Sequence, residues 1–202
     1  NHPHVKAPTR ERVLQVIADE GYSPNLAARA LVTRRMQTVG ILIPHTFTTI
    51  FADQYYFPEL LHGMAQIANQ RDYAIMIWVE DTQSDQQRLY ERIVKHHMMD
   101  GLIVASYTTR NPFLKMLDTV TIPLVIVERP EQGLFKHASF VTVDNVQAAM
   151  DAVNHLIRIG YQRIGTLTGE LANPDGYDRY IGYQQAMRTS RFGYDSRLAI
   201  EG

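Results

Sequence analysis

Gly21-Tyr22-Ser23-Pro24-Asn25-Leu26-Ala27-Ala28-Arg29-Ala30-Leu31, followed closely by Val39-Gly40-Ile41-Leu42-Ile43-Pro44, is the stretch from which the rest of the chain can be read. A proline at a first helical position costs no hydrogen bond and presets φ. Pro24 therefore predicts a short helix running to about Thr33, with small residues on it and Arg29, Arg34 and Arg35 around it. The apolar run from Val39 then predicts a strand, and from there strand and helix alternate. Before it, Thr9 is the expected cap of a helix from Arg10 to about Glu20, with Val13, Leu14, Val16 and Ile17 as its buried face and Gly21 as its stop.

The expected strands are 39–43, 74–79, 101–105, 124–127, 140–143 and 164–167. The expected helices are 57–70, 84–97, 111–117, 146–159 and 177–189. Apolar strands without polar alternation imply a parallel sheet covered on both faces. In such open α/β sheets ligands bind beyond the carboxyl ends of the strands. The residues from Phe192 to Gly202 read as a tail.

With 45% apolar and 20% charged residues, the composition is that of an ordinary folded protein. Cysteine is absent, which removes disulfide and thiolate chemistry and fits a reducing cytoplasm. No apolar run approaches the roughly 18 residues that cross a bilayer, and no signal-peptide core follows Asn1. A net charge of −1 hides an asymmetry: residues 1–38 hold six Lys/Arg against three Asp/Glu, and the remainder is acidic. A basic head on an acidic body suits a nucleic-acid contact at one end, although small imbalances also arise by chance.

Read from its residues alone, the Pro24 helix has two uses. It can pack Leu26 and Leu31 on a core, or it can wedge Leu31 between base pairs from the minor groove, with Ala28 on the same face. In the second use Asn25 and Arg29 bond phosphates or groove edges, and Arg34 and Arg35 add salt-dependent attraction. Tyr55, Tyr56 and Phe57 can be core or interface rings, or walls that stack on sugar C–H faces or nucleobases. Asp144 can cap the helix from Val146 or reach a ligand hydroxyl. Arg179 can be a solvated charge, or a planar fork of donors for paired hydroxyls or a carboxylate.

Several segments, in order, resemble the lactose/galactose-repressor (LacI/GalR) family of transcription regulators. They are Val5-Lys6-Ala7-Pro8-Thr9-Arg10-Glu11-Arg12-Val13 with Gly21–Asn25, Asp53–Gly63, Asp100–Ser106, Val141–Asn145 and Asp178–Met187. The resemblance implies a partial all-α DNA-binding headpiece and hinge helix at 1–38. It implies a periplasmic-binding-protein-like two-lobed sensor domain after that, with lobe one at 39–143 and a truncated lobe two at 144–202. It makes Leu31 the intercalating leucine and Ala28 its minor-groove neighbour, with Thr9 similar to a phosphate-contacting residue. It makes Tyr56, Phe57 and Arg179 effector-binding, with Asp144, Glu128 and Ser106 also at the cleft. Glu128 stands where the family often has Asp, and Tyr161 where it usually has His. The family's first two headpiece helices are expected before Asn1.

Enzyme readings find little support in the residues. No Gly-x-Gly-x-x-Gly follows the first strand, and neither a phosphate-cradling Gly-Lys-Ser/Thr loop nor a Gly-x-Ser-x-Gly elbow occurs. Glu59/His62, His96/Asp100 and Asp151/His155 are helical pairs lacking a third ligand nearby, so no metal and no cofactor are expected. The reading is a cytoplasmic, homodimeric, ligand-responsive repressor whose partners are operator DNA and a small effector of carbohydrate type. The alternative is a solute-binding receptor of the periplasmic type that does not bind DNA.

Overall fold

Apolar strands with no polar face to turn to water pair in parallel, and a short exposed strand at Ser139–Val141 joins them at the edge. The computed structural model describes residues 5–22, 30, 32–43, 55–79, 83–96, 98–105, 107–111, 113–131 and 133–202. The expected DNA-contacting residues Asn25, Ala28, Arg29 and Leu31, and the cleft residue Ser106, lie outside the described residues. Contacts divide the chain into Asn1–Met36 and Gln37–Gly202.

The first unit holds α1 (Ala7–Asp19), which begins three residues before the expected Arg10. Pro8 sits in its first turn, and Arg10 N–H closes that turn on the Lys6 carbonyl at 3.1 Å. A proline is already shaped for this place, so Thr9 lies inside the helix and is not its cap. Gly21, at φ 60°, ends the helix, and Tyr22 N–H returns to the Ile17 carbonyl at 3.0 Å. The expected buried face of α1 is a correction: Val13, Leu14 and Val16 are all exposed. An apolar stripe is buried only where a partner surface meets it, and none of the described residues covers this one. Residues 30, 32 and 33 are helical, and Arg34 N–H bonds the Ala30 carbonyl at 2.8 Å, as expected of a helix ending near Thr33.

The second unit is an α/β structure with two sheets. In lobe one, β1 (Thr38–Ile43), β2 (Ala74–Val79), β3 (Gly101–Ala105), β4 (Leu124–Val127) and β5 (Ser139–Val141) form one parallel sheet in the order β2-β1-β3-β4-β5. Helix α2 (Tyr56–Gln70) covers one face, where Ile41, Ile43, Phe57 and Ala105 cluster with Leu60, Leu61 and Met64. Helices α3 (Gln83–His96) and α4 (Phe113–Leu117) cover the other, with Leu42, Leu102, Val104 and Ile126 against Leu89, Ile93, Phe113 and Leu114. The alternation of β1 side chains between the two clusters is the period-2 geometry of a strand.

Lobe two is built on α5 (Asn145–Arg158), β6 (Thr166–Thr168), α6 (Pro174–Thr189) and β7 (Ala199–Glu201), with β6 and β7 parallel. The expected tail therefore contains a strand, preceded by a 3₁₀ turn at Ser196–Leu198. Helix α6 also begins three residues earlier than expected, because Asn173 accepts Gly176 N–H at 3.0 Å and Pro174 occupies the first turn. Among the described residues, no helix is long and apolar enough to cross a membrane.

Helices α5 and α6 pack with Gly182 at their closest approach. A Cβ there would collide with the Val146 carbonyl oxygen and the Ala149 side chain. Gly182→Ala should therefore destabilise the protein by about 2–3 kcal/mol, which calorimetry would register as a fall in Tm of several degrees. An unchanged Tm would mean that the two helices are free to move apart.

Candidate functional site

Parallel strands bring their carboxyl ends to one edge, and the chain's most unusual polar chemistry gathers there. Glu128 directly follows β4. It is only 4% exposed and has φ 122°, a left-handed backbone that side chains rarely adopt. Strain of this kind costs about 1–3 kcal/mol and persists where the surroundings over-determine it. Its N–H is held by the Val141 carbonyl at 2.8 Å. Its carboxylate accepts from Asn173 Nδ2, at 3.4 Å to Oε1 and 3.2 Å to Oε2.

Asn173 thus joins lobe two to lobe one. The same Nδ2 donates to the Tyr107 carbonyl at 3.1 Å, and Thr109 N–H donates to the Ala172 carbonyl at 2.9 Å. Tyr107 is fully buried; its hydroxyl donates to the Arg129 carbonyl at 3.0 Å and accepts Glu131 N–H at 2.9 Å. Burial, with smaller help from nearby carboxylates, pushes its phenol up to about 12, so it stays a neutral brace. Arg129 completes the bridge: Nε donates to Asp178 Oδ2 at 2.8 Å and Nη2 to Oδ1 at 2.7 Å. This two-bond fork raises the guanidinium's affinity for its proton further.

The expected Arg179 lies one residue on. Its Nη1 donates to Asn145 Oδ1 at 2.9 Å. Asn145 is 4% exposed and opens α5. Asp144, its neighbour, is exposed and acts as the helix cap, accepting Gln147 N–H at 2.9 Å. Of the two roles open to Asp144, the structure displays the cap, and Asn145 is the buried polar group beside Arg179. Asp175, in the first turn of α6, has an Oδ1 shut off from solvent without a hydrogen-bond partner among the described residues. Burial pushes its carboxyl above the ordinary aspartate value, against the opposing pull of Arg179 and Asn145.

The structure therefore brings Glu128 to the amino-terminal turn of α6, and Arg179 to Asn145. It separates the aromatic pair. Phe57 is buried in the α2 core cluster, whereas Tyr56 is partly open to solvent and meets the Phe57 ring edge-on at 5.1 Å. Of the two roles open to Phe57, the structure displays the core ring, which supports Tyr56. Thr9 is exposed on α1. An apolar groove of about 750 Å3 runs beside α2, but its lining includes Val39, Gly101 and Pro123 at the amino ends of the strands, away from Glu128 and Arg129. Asn173, Asp175 and Tyr107 belong to none of the segments that carry the resemblance, whereas Asn145 ends one of them, Val141–Asn145. The run Asn173-Pro174-Asp175-Gly176 carried a readable signal, a side-chain cap followed by proline.

Two parallel sheets with polar groups converging at the strand carboxyl ends define the class of two-lobed α/β domains. Residues 36–198 match the family described as periplasmic binding proteins and sugar binding domain of LacI family, and the chain belongs to that family. It is 33% identical over 196 residues to the HTH-type transcriptional regulator RegA of Clostridium saccharobutylicum, covering 96% of this chain and 56% of that protein. It is 31% identical over 198 residues to CelR of Thermobifida fusca, covering 98% of this chain and 58% of that protein. The solved CelR–cellobiose complex superposes with a TM-score of 0.76 at 26% identity, covering 99% of this chain and 58% of that one. The chain thus spans little more than half the length of these relatives.

The Asp175 shift has a definite sign. Its folded carboxyl holds the proton to a higher pH than the unfolded one, so stability falls as pH rises from the ordinary aspartate range through the raised value. Asp175→Asn should raise Tm near neutral pH, and the gain should vanish below the ordinary range. A gain independent of pH in thermal melts would assign the effect to something other than this carboxylate.

Proposed function

We propose that this chain is part of a ligand-responsive transcriptional repressor whose two-lobed domain binds a small carbohydrate. The observation that carries the reading is the polar cluster at the strand carboxyl ends, where buried Glu128 meets Asn173 and buried Asn145 meets the exposed Arg179, in a chain of this family. Hydroxyl-rich ligands suit such a cluster, because each buried donor or acceptor needs a partner. The cellobiose bound by CelR supports the carbohydrate class. In this reading Arg179 and Glu128 meet the effector, Tyr56 stacks on it above Phe57, and Asp144 and Ser106 border the cleft.

The segment 1–38 meets operator DNA, the sensor lobes being 39–143 and 144–202. Leu31 wedges a base step, with Ala28, Asn25, Arg29 and Thr9 around it. A wedge at a symmetric centre requires two copies, so the working unit is a homodimer, acting in the cytoplasm without cofactor or turnover. Effector binding biases lobe closure, and closure biases DNA affinity; coupling of about 1–3 kcal/mol is enough.

Selection of duplexes from a random pool by the intact protein tests the whole reading. A recovered palindrome establishes a repressor. Recovery of nothing above non-specific binding moves the solute-binding receptor to first place. With the operator in hand, Arg179→Ala should leave operator affinity within about twofold. It should weaken effector-driven release about tenfold or more, the equivalent of one charge-assisted hydrogen bond. Fluorescence anisotropy of labelled operator reads both, and undiminished release would remove Arg179 from the site. Leu31→Ala should weaken operator binding more than binding to scrambled duplex at the same salt; equal losses would refute the wedge.

A further inference from the structure

We infer that the two-bond fork between Arg129 and Asp178 is a salt-sensitive latch, which stops α6 and the rest of lobe two from turning about a pivot at Asn173. The pivot gathers several hydrogen bonds across the lobes on one short segment. Asn173 Nδ2 donates to the Tyr107 carbonyl at 3.1 Å and to Glu128 Oε2 at 3.2 Å, and Thr109 N–H donates to the Ala172 carbonyl at 2.9 Å. A body held at one place can still rotate about it. Asp178 lies five residues further along α6, about 7–8 Å down the helix axis at about 1.5 Å per residue. Its carboxylate takes Arg129 Nε at 2.8 Å and Nη2 at 2.7 Å, and a second attachment at that distance opposes rotation.

Arg129 reaches out from a fixed base. Its carbonyl accepts from the Tyr107 hydroxyl at 3.0 Å, and that hydroxyl oxygen accepts Glu131 N–H at 2.9 Å. Glu128, just before it, has its N–H on the Val141 carbonyl at 2.8 Å. The backbone on both sides is thus tied to lobe one, through a tyrosine that is fully buried. Asp178 has a firm base too: it sits on a helix, with its side chain only 14% exposed. Isolated surface ion pairs contribute little, because two mobile side chains must be ordered. A two-bond arginine–carboxylate pair with ordered ends is the exception.

Salt separates the latch from the pivot. The Arg129 side chain is 44% exposed, so counter-ions reach it, and at about 1 M salt the screening length falls to about 3 Å. The bond between Thr109 and Ala172 joins two neutral peptide groups and has no charge to screen. Loosening therefore starts at the latch. Arg179 follows Asp178 on α6 and bonds Asn145 within lobe two, so the latch also sets how Arg179 faces lobe one. In the proposed repressor, and resting on that reading, this chain's own charges bias the lobes toward one another, and an effector adds its differential affinity to that bias.

Hydrogen exchange of the intact protein, without added ligand, reads the latch at the Thr109 amide, whose bond to Ala172 breaks when the lobes turn apart. Asp178→Ala and Arg129→Ala should each speed that exchange about tenfold. The double variant should speed it no more than either one, because both remove the same interaction. Raising salt to about 1 M should speed it in the unaltered protein and leave it alone in the variants. The Tyr177 amide, bonded to the Asn173 carbonyl at the start of α6, and the Leu102 amide, bonded to the Pro123 carbonyl within lobe one, should keep their rates. An unchanged Thr109 rate in both single variants overturns the latch, as does a double variant whose effect is the product of the two. Acceleration at Tyr177 as well overturns it too, by assigning the effect to a loosened helix start. Should the variants fail to fold, the unaltered protein decides: a Thr109 rate that salt does not change, relative to Leu102, overturns the latch. Each of these failures leaves the proposed function standing, which operator selection tests separately.

Discussion

One side-chain amide holds the architecture of the second unit together. Asn173 Oδ1 caps α6 by accepting Gly176 N–H, while its Nδ2 reaches the Tyr107 carbonyl and the Glu128 carboxylate across the lobes. An amide can do this because it carries an acceptor and two donors on one rigid plane. The cap sets where α6 begins, and the helix start sets where Asp175, Asp178 and Arg179 fall on its first turns. The position of every lobe-two polar group at the interface is thereby referred to two lobe-one anchors. Tyr107 is neutral and fully buried, and Glu128 is held in its strained backbone conformation by the Val141 carbonyl and Asn173.

Such a layer suits a two-state device. Each hydrogen bond across it is worth only about 0.5–1.5 kcal/mol net, and the Arg129–Asp178 fork is partly exposed and screened. On the proposed reading, the lobes are joined firmly enough to define a geometry and weakly enough for a ligand's differential affinity to shift it. The core clusters on both sides of the sheet do not share this property: Ile41, Leu42 and Ile43 are completely buried. Rearrangement is cheap between the lobes and expensive within them.

The sequence made the lobe-one strands legible because their apolar runs are long and bounded. Strands 74–79, 101–105 and 124–127 have the limits that periodicity indicates. It concealed β7, since Ala199-Ile200-Glu201 is too short for any period to register and exists only through pairing with Thr166–Thr168. Thr9 and Asp144 are both cap-type residues, yet only Asp144 caps. At Thr9, Pro8 had already moved the helix start upstream. Phe57 and Tyr56 are adjacent aromatics that composition treats alike; the helix turns one into the core and leaves the other at the surface. Asn145, Asn173 and Asp175 were hidden for a different reason. Asn145 and Asn173 matter through partners 34 to 66 residues away in sequence, a separation that local patterning does not carry, and Asp175 through its burial.

In the proposed repressor, the sheet itself constrains how a change at such a site would reach the start of β1. Gln37 enters the sheet at the amino end of β1. Its N–H bonds Asp100 Oδ2 at 2.8 Å and its carbonyl accepts Ala74 N–H at 2.8 Å, while Asp100 N–H bonds the Thr38 carbonyl at 2.8 Å. The inter-lobe layer lies at the opposite, carboxyl ends. Between the two runs β1, the most deeply buried strand, flanked in register by β2 and β3. A close-packed parallel sheet transmits strain but does not deform continuously. In the proposed repressor, a change at Glu128 and Arg179 would reach Gln37 as rigid-body movement of one lobe against the other, not as a local shift relayed along the sheet.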